Sequence, residues 1–200
     1  MKAIVCITFL IYASKLTGQR EHPPFPRFAL QAGADFSNMN FNKGVPAPAS
    51  PVAASWKAGF TLGLLMRVPL AASWWLQPEY SFTRRNGADK STNISYQLDY
   101  LSLPVLLSYR ISPALSVMAG PEAGILIHAG SGNNGSNTNI THDTEERSLG
   151  FTGGLQLDIK KRFFLSARYL QGLNHIGIGQ RSNLKEFKYQ SASLTAGVRF

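Results

Sequence analysis

Hydrophobic and polar residues alternate with a period of two along most of this chain, most regularly at its end. In residues 189–200, Ala192, Leu194, Ala196, Val198 and Phe200 fall on one face, and Ser191, Ser193, Thr195, Gly197 and Arg199 on the other. A strand points successive side chains to opposite sides, so this segment reads as a strand with one apolar and one small polar face. The same pattern predicts seven further strands, over residues 28–37, 55–68, 73–84, 95–110, 115–128, 148–159 and 163–171. Residues 55–68 set Trp56, Ala58, Phe60, Leu62, Leu64 and Met66 against Lys57, Gly59, Thr61, Gly63 and Arg67. Two architectures accommodate such faces. A water-soluble sandwich turns the polar face to solvent, whereas a membrane barrel turns the apolar face to lipid and the polar face into its lumen.

The connections separate the two. Links after the second, fourth and sixth strands are three or four residues, while those after the odd strands are about ten to eighteen, a sorting by parity that a sandwich has no reason to show. Aromatics fall at strand ends: Trp74, Tyr109, Phe163 and Phe200 at the turn end, Phe36, Trp56, Phe82 and Tyr169 toward the loop end, as two interfacial girdles require. The predicted fold is all-β, an eight-stranded antiparallel up-and-down transmembrane barrel with short periplasmic turns and longer extracellular loops. Pro78, Pro104 and Pro121 lie within strands and predict local bulges or kinks.

Composition supports export. Lys2 precedes an apolar run over residues 3–13, too short to span a bilayer and suited to a signal-peptide core, with cleavage expected after Gly18. Residues 19–27 then form a short N-terminal periplasmic segment and 28–200 the barrel domain. The one cysteine, Cys6, leaves with the leader, so disulfides, cysteine nucleophiles and thiolate metal sites are excluded from the mature chain.

Two neighbouring segments carry a family resemblance. Residues 100–110 (YLSLPVLLSYR) centre a strand on Pro104 and end it in Tyr109-Arg110; residues 117–126 (VMAGPEAGIL) follow with Gly120, Pro121 and Gly124. This pair, with the Gly-Val-Arg-Phe200 end and the leader, resembles the PorT-like outer-membrane β-barrel proteins. The resemblance implies a small barrel of the OmpA or OmpX type, recognised through Phe200 by the barrel-insertion machinery.

If Phe200 faces lipid, the inward register collects Asp35, Glu79, Glu122 and Asp158 with Lys57, Arg67, Arg110, Arg168 and Arg199. An eight-stranded barrel is just wide enough to be filled by side chains, so these charges are expected to pair and plug the lumen, with Glu79, Glu122 and Arg168 in one cluster. Close carboxylates could instead serve acid–base chemistry, or the pairs could gate a narrow pore. No spacing fixes a nucleophile beside a base, and His128, His142 and His175 are too scattered for a metal site, so no catalytic, cofactor or metal residues are assigned.

The remaining candidates lie in loops. Residues 130–139 are low-complexity and polar, predicting a mobile loop, and the Ala- and Pro-rich stretch from 38 to 55 is expected to fold over the barrel mouth. The formal net charge is +9, and two of those charges leave with the leader. Arg84, Arg85 and Lys90, with Arg181, Lys185 and Lys188, are placed in loops where they would meet lipopolysaccharide phosphates; Lys160-Lys-Arg162 marks the periplasmic rim. Nucleic acid is not an expected partner, because the cations are not grouped with aromatics on one surface. The chain thus reads as a bacterial outer-membrane protein, expected to be a monomer, with lipid and lipopolysaccharide as its surroundings. Its expected role is structural, adhesive or in assembly rather than enzymatic; a narrow porin-like pore and a soluble lipocalin-like carrier are the alternatives.

Overall fold

The computed structural model describes residues 26–44, 52, 54–90, 92–133, 136–160, 162–178 and 185–200. The predicted leader and residues 19–25 lie outside them. Ten strands follow one another: β1 (Arg27–Asn40), β2 (Ala54–Ala71), β3 (Trp74–Asp89), β4 (Ile94–Arg110), β5 (Leu115–Asn133), β6 (Ser136–Asn139), β7 (Arg147–Ile159), β8 (Phe163–Gly172), β9 (Ile176–Ile178) and β10 (Lys185–Arg199). Each of the eight long strands pairs antiparallel with its neighbour, and β10 closes the ring on β1, from Ala29 opposite Arg199 to Asn40 opposite Lys188. The short β6 and β9 pair with the loop ends of β5 and β10. Phe200 lies just past β10, and its N–H still donates to the Phe28 carbonyl at 3.1 Å.

The faces take the membrane orientation. Leu62, Leu149, Leu155 and Leu194 are about half exposed on the outside, while Gln31, Gln77, Thr152, Gln156 and Thr195 are buried inside. A water-soluble carrier has the opposite polarity, so the lipocalin-like alternative does not describe this molecule. The outer apolar surface carries Phe28, Phe163 and Phe200 toward the turn end, where Trp74 and Tyr109 also stack with ring centroids 4.8 Å apart. Phe36, Trp56, Phe60 and Tyr169 lie toward the loop end.

The strands run further at the loop end than their hydrophobic pattern suggests. A tilted strand crosses hydrocarbon in roughly 9–11 residues, whereas β3 has 16 and β5 has 19. The excess projects as a collar beyond the apolar belt. As a result Arg84 and Arg85, expected in a loop, are strand residues, and the β3–β4 connection shrinks to residues 90–93, with Asn93 at φ 54°. Asparagine tolerates that left-handed conformation better than most residues. The segment 130–139 is also not a free loop. Gly130 pairs with Asn139 and Asn133 with Ser136, so its described residues are strand, the end of β5 paired antiparallel with β6.

The three strand prolines do not produce bulges. The register is the same on both sides of Pro78, Pro104 and Pro121; the shifts occur between Trp56 and Phe60, between Pro69 and Ala71, and at Asp99–Tyr100. Pro104 simply omits its N–H from the ladder, and the cross-strand pairing lapses beside it without slipping. The motif glycines have a different explanation. A Cβ on Gly120 would lie 2.0 Å from the Val105 carbonyl oxygen, and one on Gly124 would press on the Tyr100 ring and on Ser148 at 3.3 Å. Gly120 allows β4 and β5 to approach; Gly124 makes room for an aromatic ring inside the barrel.

Spin labels at positions 155 and 156 test the orientation. Leu155 is 49% exposed and Gln156 is 1% exposed, so collisions with a lipid-soluble relaxer are expected at 155 and not at 156. The reverse pattern would overturn the inside–outside assignment.

Candidate functional site

The lumen is built in three layers, because eight strands with a period of two send about half of their residues into one narrow tube. The central layer is ionic. Glu79, on β3, has a fully buried side chain that accepts hydrogen bonds from Arg168 Nη1, Gln31 Nε2 and Gln77 Nε2, each at 2.7 Å. Arg168 is further held by Ser166 Oγ, which accepts from its Nε at 2.9 Å. One step around the barrel, Glu122 accepts from Arg85 Nη2 at 2.6 Å and from Thr152 Oγ1 at 2.7 Å. Asp35 accepts from Ser191 Oγ. These groups surround a cavity of about 40 Å³, room for a few waters rather than an open channel.

Arg85 joins this layer to the one above. Its guanidinium lies 5.6 Å from the ring centroids of both Tyr100 and Tyr189 while it pairs with Glu122. Above it, at the loop end, the inward residues become apolar: Met39, Tyr96, Leu98, Leu126, Ala129 and Phe187 from the barrel strands, with Phe41, Ile176 and Ile178 brought in by the connections between them. Phe41 reaches this cluster through a single 3-10 turn (Phe41–Lys43) and stacks against Tyr96 and Phe187 at 5.9 and 5.3 Å. Asn42 anchors the far side of the same loop by exchanging two hydrogen bonds with the Val52 backbone, at 2.7 and 2.9 Å. The described part of that loop therefore caps the mouth.

The third layer lies at the turn end. Asp158 accepts from Arg199 Nη2 and from Gln156 Nε2 at 2.8 Å, and forms an ion pair with Arg67 Nη1 at 3.7 Å. Arg67 and Arg110 each lie 5.2 Å from the Trp75 ring centroid, and Arg199 lies 4.9 Å from that of Phe164.

Eight of the nine residues assigned to the lumen from sequence thus line the interior: Asp35, Arg67, Glu79, Arg110, Glu122, Asp158, Arg168 and Arg199. Lys57 does not. It stands opposite the buried Ser37 on β1, at the loop end of the barrel, and is solvent-exposed there, away from the buried network. The expected single cluster of Glu79, Glu122 and Arg168 is two ion pairs sharing one cavity, and the second cation is Arg85. The sequence pattern places this residue in a lipopolysaccharide-facing loop, yet in the structure it continues the inward series Glu79, Ser81, Thr83, Arg85. The basic Arg84-Arg85 pair followed by Asn-Gly resembles a turn, but the alternation running through it marks a continuing strand.

Arg84 faces outward. It makes a two-pronged ion pair with Asp99, at 2.7 and 2.8 Å, and lies over the Phe60 ring at 5.3 Å. His128 stands beside Asp99 on the neighbouring strand. His142 is in the second 3-10 turn (Thr141–Asp143) and His175 precedes β9. No group of three or more potential metal ligands occurs among the described residues. Lys90 is exposed in the β3–β4 connection, and Arg181 lies outside the described residues.

Comparison with known proteins agrees with this architecture. The family of outer membrane protein β-barrel domains matches residues 25–177. Neisserial surface protein A, from Neisseria, is similar in fold with a TM-score of 0.54 at 15% identity, covering 86% of this chain and 97% of that one. The attachment invasion locus protein of Yersinia pestis aligns with a TM-score of 0.51 at 20% identity, covering 87% and 98%. A major outer membrane protein of Thermus thermophilus gives a TM-score of 0.51 at 12% identity, covering 88% and 99%. At these identities the structures share the fold alone. Among curated proteins no sequence matches significantly.

Removing one member of a buried pair leaves a bare charge. Glu79→Ala is therefore expected to cost about 3–5 kcal/mol of stability, and Glu79→Met with Arg168→Met much less. Reversible urea unfolding in lipid vesicles measures both; equal losses would mean that the pair is not coupled.

Proposed function

Because the chain belongs to the outer membrane protein β-barrel domain family, we propose that it is a sealed outer-membrane barrel that works through its extracellular collar, in adhesion, assembly or membrane architecture. One observation carries this reading: the lumen is closed twice, by the Glu79–Arg168 and Glu122–Arg85 pairs and by the apolar cap above them. A chain selected to conduct has no use for a hydrophobic cap tied down by its loops. The same cap holds those loops in fixed positions, which lowers the entropic cost of presenting a surface to a partner. The Yersinia relative bears the name of an attachment protein, in keeping with such a role. The Pro104/Tyr109-Arg110 and Gly120-Pro121/Gly124 pattern further supports a PorT-like member of the family, with Phe200 as the insertion signal. Lipid and lipopolysaccharide are the expected surroundings, with exposed Lys90 available to headgroup phosphates. Enzymatic activity forms no part of the reading.

The purified barrel is expected to give no steady conductance in planar bilayers. Cells displaying it are expected to bind immobilised host or bacterial surface extracts more than cells with the 130–139 hairpin shortened. Steady conductance, together with equal binding by both cell types, would defeat the proposal.

A narrow gated pore is the second reading, favoured by the cavity between the two ion pairs. It requires that Glu122→Gln or Arg168→Gln open measurable conductance. Silent bilayers for both variants would remove it.

A further inference from the structure

Two carboxylates of the central layer each have a guanidinium, and the third shares one. Glu79 pairs with Arg168 and Glu122 with Arg85. Asp35 lines the same cavity from β1 and is 3% exposed. It feels Arg85 as an opposite charge, but Arg85 is committed to Glu122 at 2.6 Å, and Glu122 acts on Asp35 as a like charge. Ser191 Oγ donates to Asp35 Oδ2, while Oδ1 has no hydrogen-bond partner among the described residues. Around this cavity, three carboxylates therefore face two guanidiniums.

A second observation is independent of charge. Ser102, on β4, is 2% exposed and lines the cavity, and its Oγ is also without a partner among the described residues. Ser81 stands directly across from it on β3, as Ser193 stands across from Asp35 on β10, and both line the same space. A buried carboxylate oxygen and a buried hydroxyl are costly to leave bare. Water can hydrogen-bond to both but does not cancel the extra negative charge; a cation does both. The free donors are all oxygens, which suit a hard ion rather than a transition metal. One surplus negative charge suits a single positive one, because a divalent ion would leave Arg85 and Arg168 facing an excess of like charge. The cavity, of about 40 Å³, admits an ion of water-like size and excludes an organic ammonium.

We propose that the central cavity is a binding site for one sodium-sized monovalent cation, held by Asp35 Oδ1 and Ser102 Oγ, with neighbouring hydroxyls and enclosed water completing its shell. The ion is a resident of the plug: it ties β1 to β4 across the lumen and supplies the charge that the two ion pairs leave unbalanced. The apolar cap shuts the loop side, so the ion is enclosed as the barrel folds or reaches the cavity from the turn end. The site is independent of whatever the extracellular loops bind.

Urea unfolding of the full barrel in zwitterionic lipid vesicles provides the test, with sodium chloride exchanged for choline chloride at constant pH and ionic strength. Binding to the folded state alone raises the folded-to-unfolded ratio about tenfold for each tenfold rise in sodium above the dissociation constant. Caesium, a larger ion, is expected to produce a smaller rise, and choline none. Asp35→Asn keeps the side chain's shape and removes its charge, so the sodium dependence is expected to vanish. Ser102→Ala removes one ligand and no charge, and is expected to move that dependence to about tenfold higher sodium; it reports on the site even if the Asp35 variant does not fold. The sodium NMR resonance, read on the folded barrel, is expected to broaden with the wild type and less with Ser102→Ala, which separates a bound ion from a salt effect on folding. Equal unfolding in sodium and choline would mean that Asp35 holds a proton instead and would overturn the proposal. So would an equal response to caesium, or a sodium dependence that survives both substitutions.

Discussion

Closure of β10 on β1 is the constraint from which the rest of this structure follows. A backbone N–H or C=O left unpaired in hydrocarbon costs several kcal/mol, so a sheet can cross a membrane only if it has no free edge. The twelve-residue pairing from Ala29–Arg199 to Asn40–Lys188 removes that edge. Once the ring is closed, each strand must commit one face to lipid and the other to the lumen. Every odd or even position along it then has a fixed chemical environment. The polar interior is the consequence of a period of two meeting an apolar solvent.

That interior faces a packing problem that soluble cores do not. Arginines and carboxylates supply much of its bulk, and each must find a partner at close range. In the middle of the barrel they do, with Glu79 receiving three donors and Arg85 meeting one carboxylate and two tyrosine rings. Such pairs contribute little net stability over apolar residues of the same size, but a mispaired register would strand charges, so they specify one arrangement. Toward the loop end the problem disappears, because the collar stands in water and can bury an ordinary apolar cluster inside. Toward the turn end Asp158 is shared between Arg67 and Arg199, while the Trp75 and Phe164 rings pack on the guanidiniums.

Most of the barrel was legible in the chain because the bilayer imposes a simple code. The eight long strands, their faces, both aromatic girdles and eight of the nine lumen residues follow from alternation alone. The failures have a common cause: the code lapses where lipid ends. Past the apolar belt, residues such as Arg84, Arg85 and those of the 130–139 hairpin are polar on both faces, so a continuing strand looks like a loop. Lys57 failed for a different reason. Its parity is inward, opposite the buried Ser37 on β1, but it stands at the open loop end, where a long charged side chain reaches water.

What the amino-acid order determined on its own was therefore the strand count, the inside and outside of each strand, and the ionic character of the lumen. All of these depend only on a residue's parity and on the solvent it must face. Which cation meets which carboxylate, and how Phe41, Ile178 and Phe187 gather into one cap, were decided by the tertiary structure. Those contacts join strands and loops far apart in the chain, and their geometry is set by stagger and bulges, which exist only once the ring has closed.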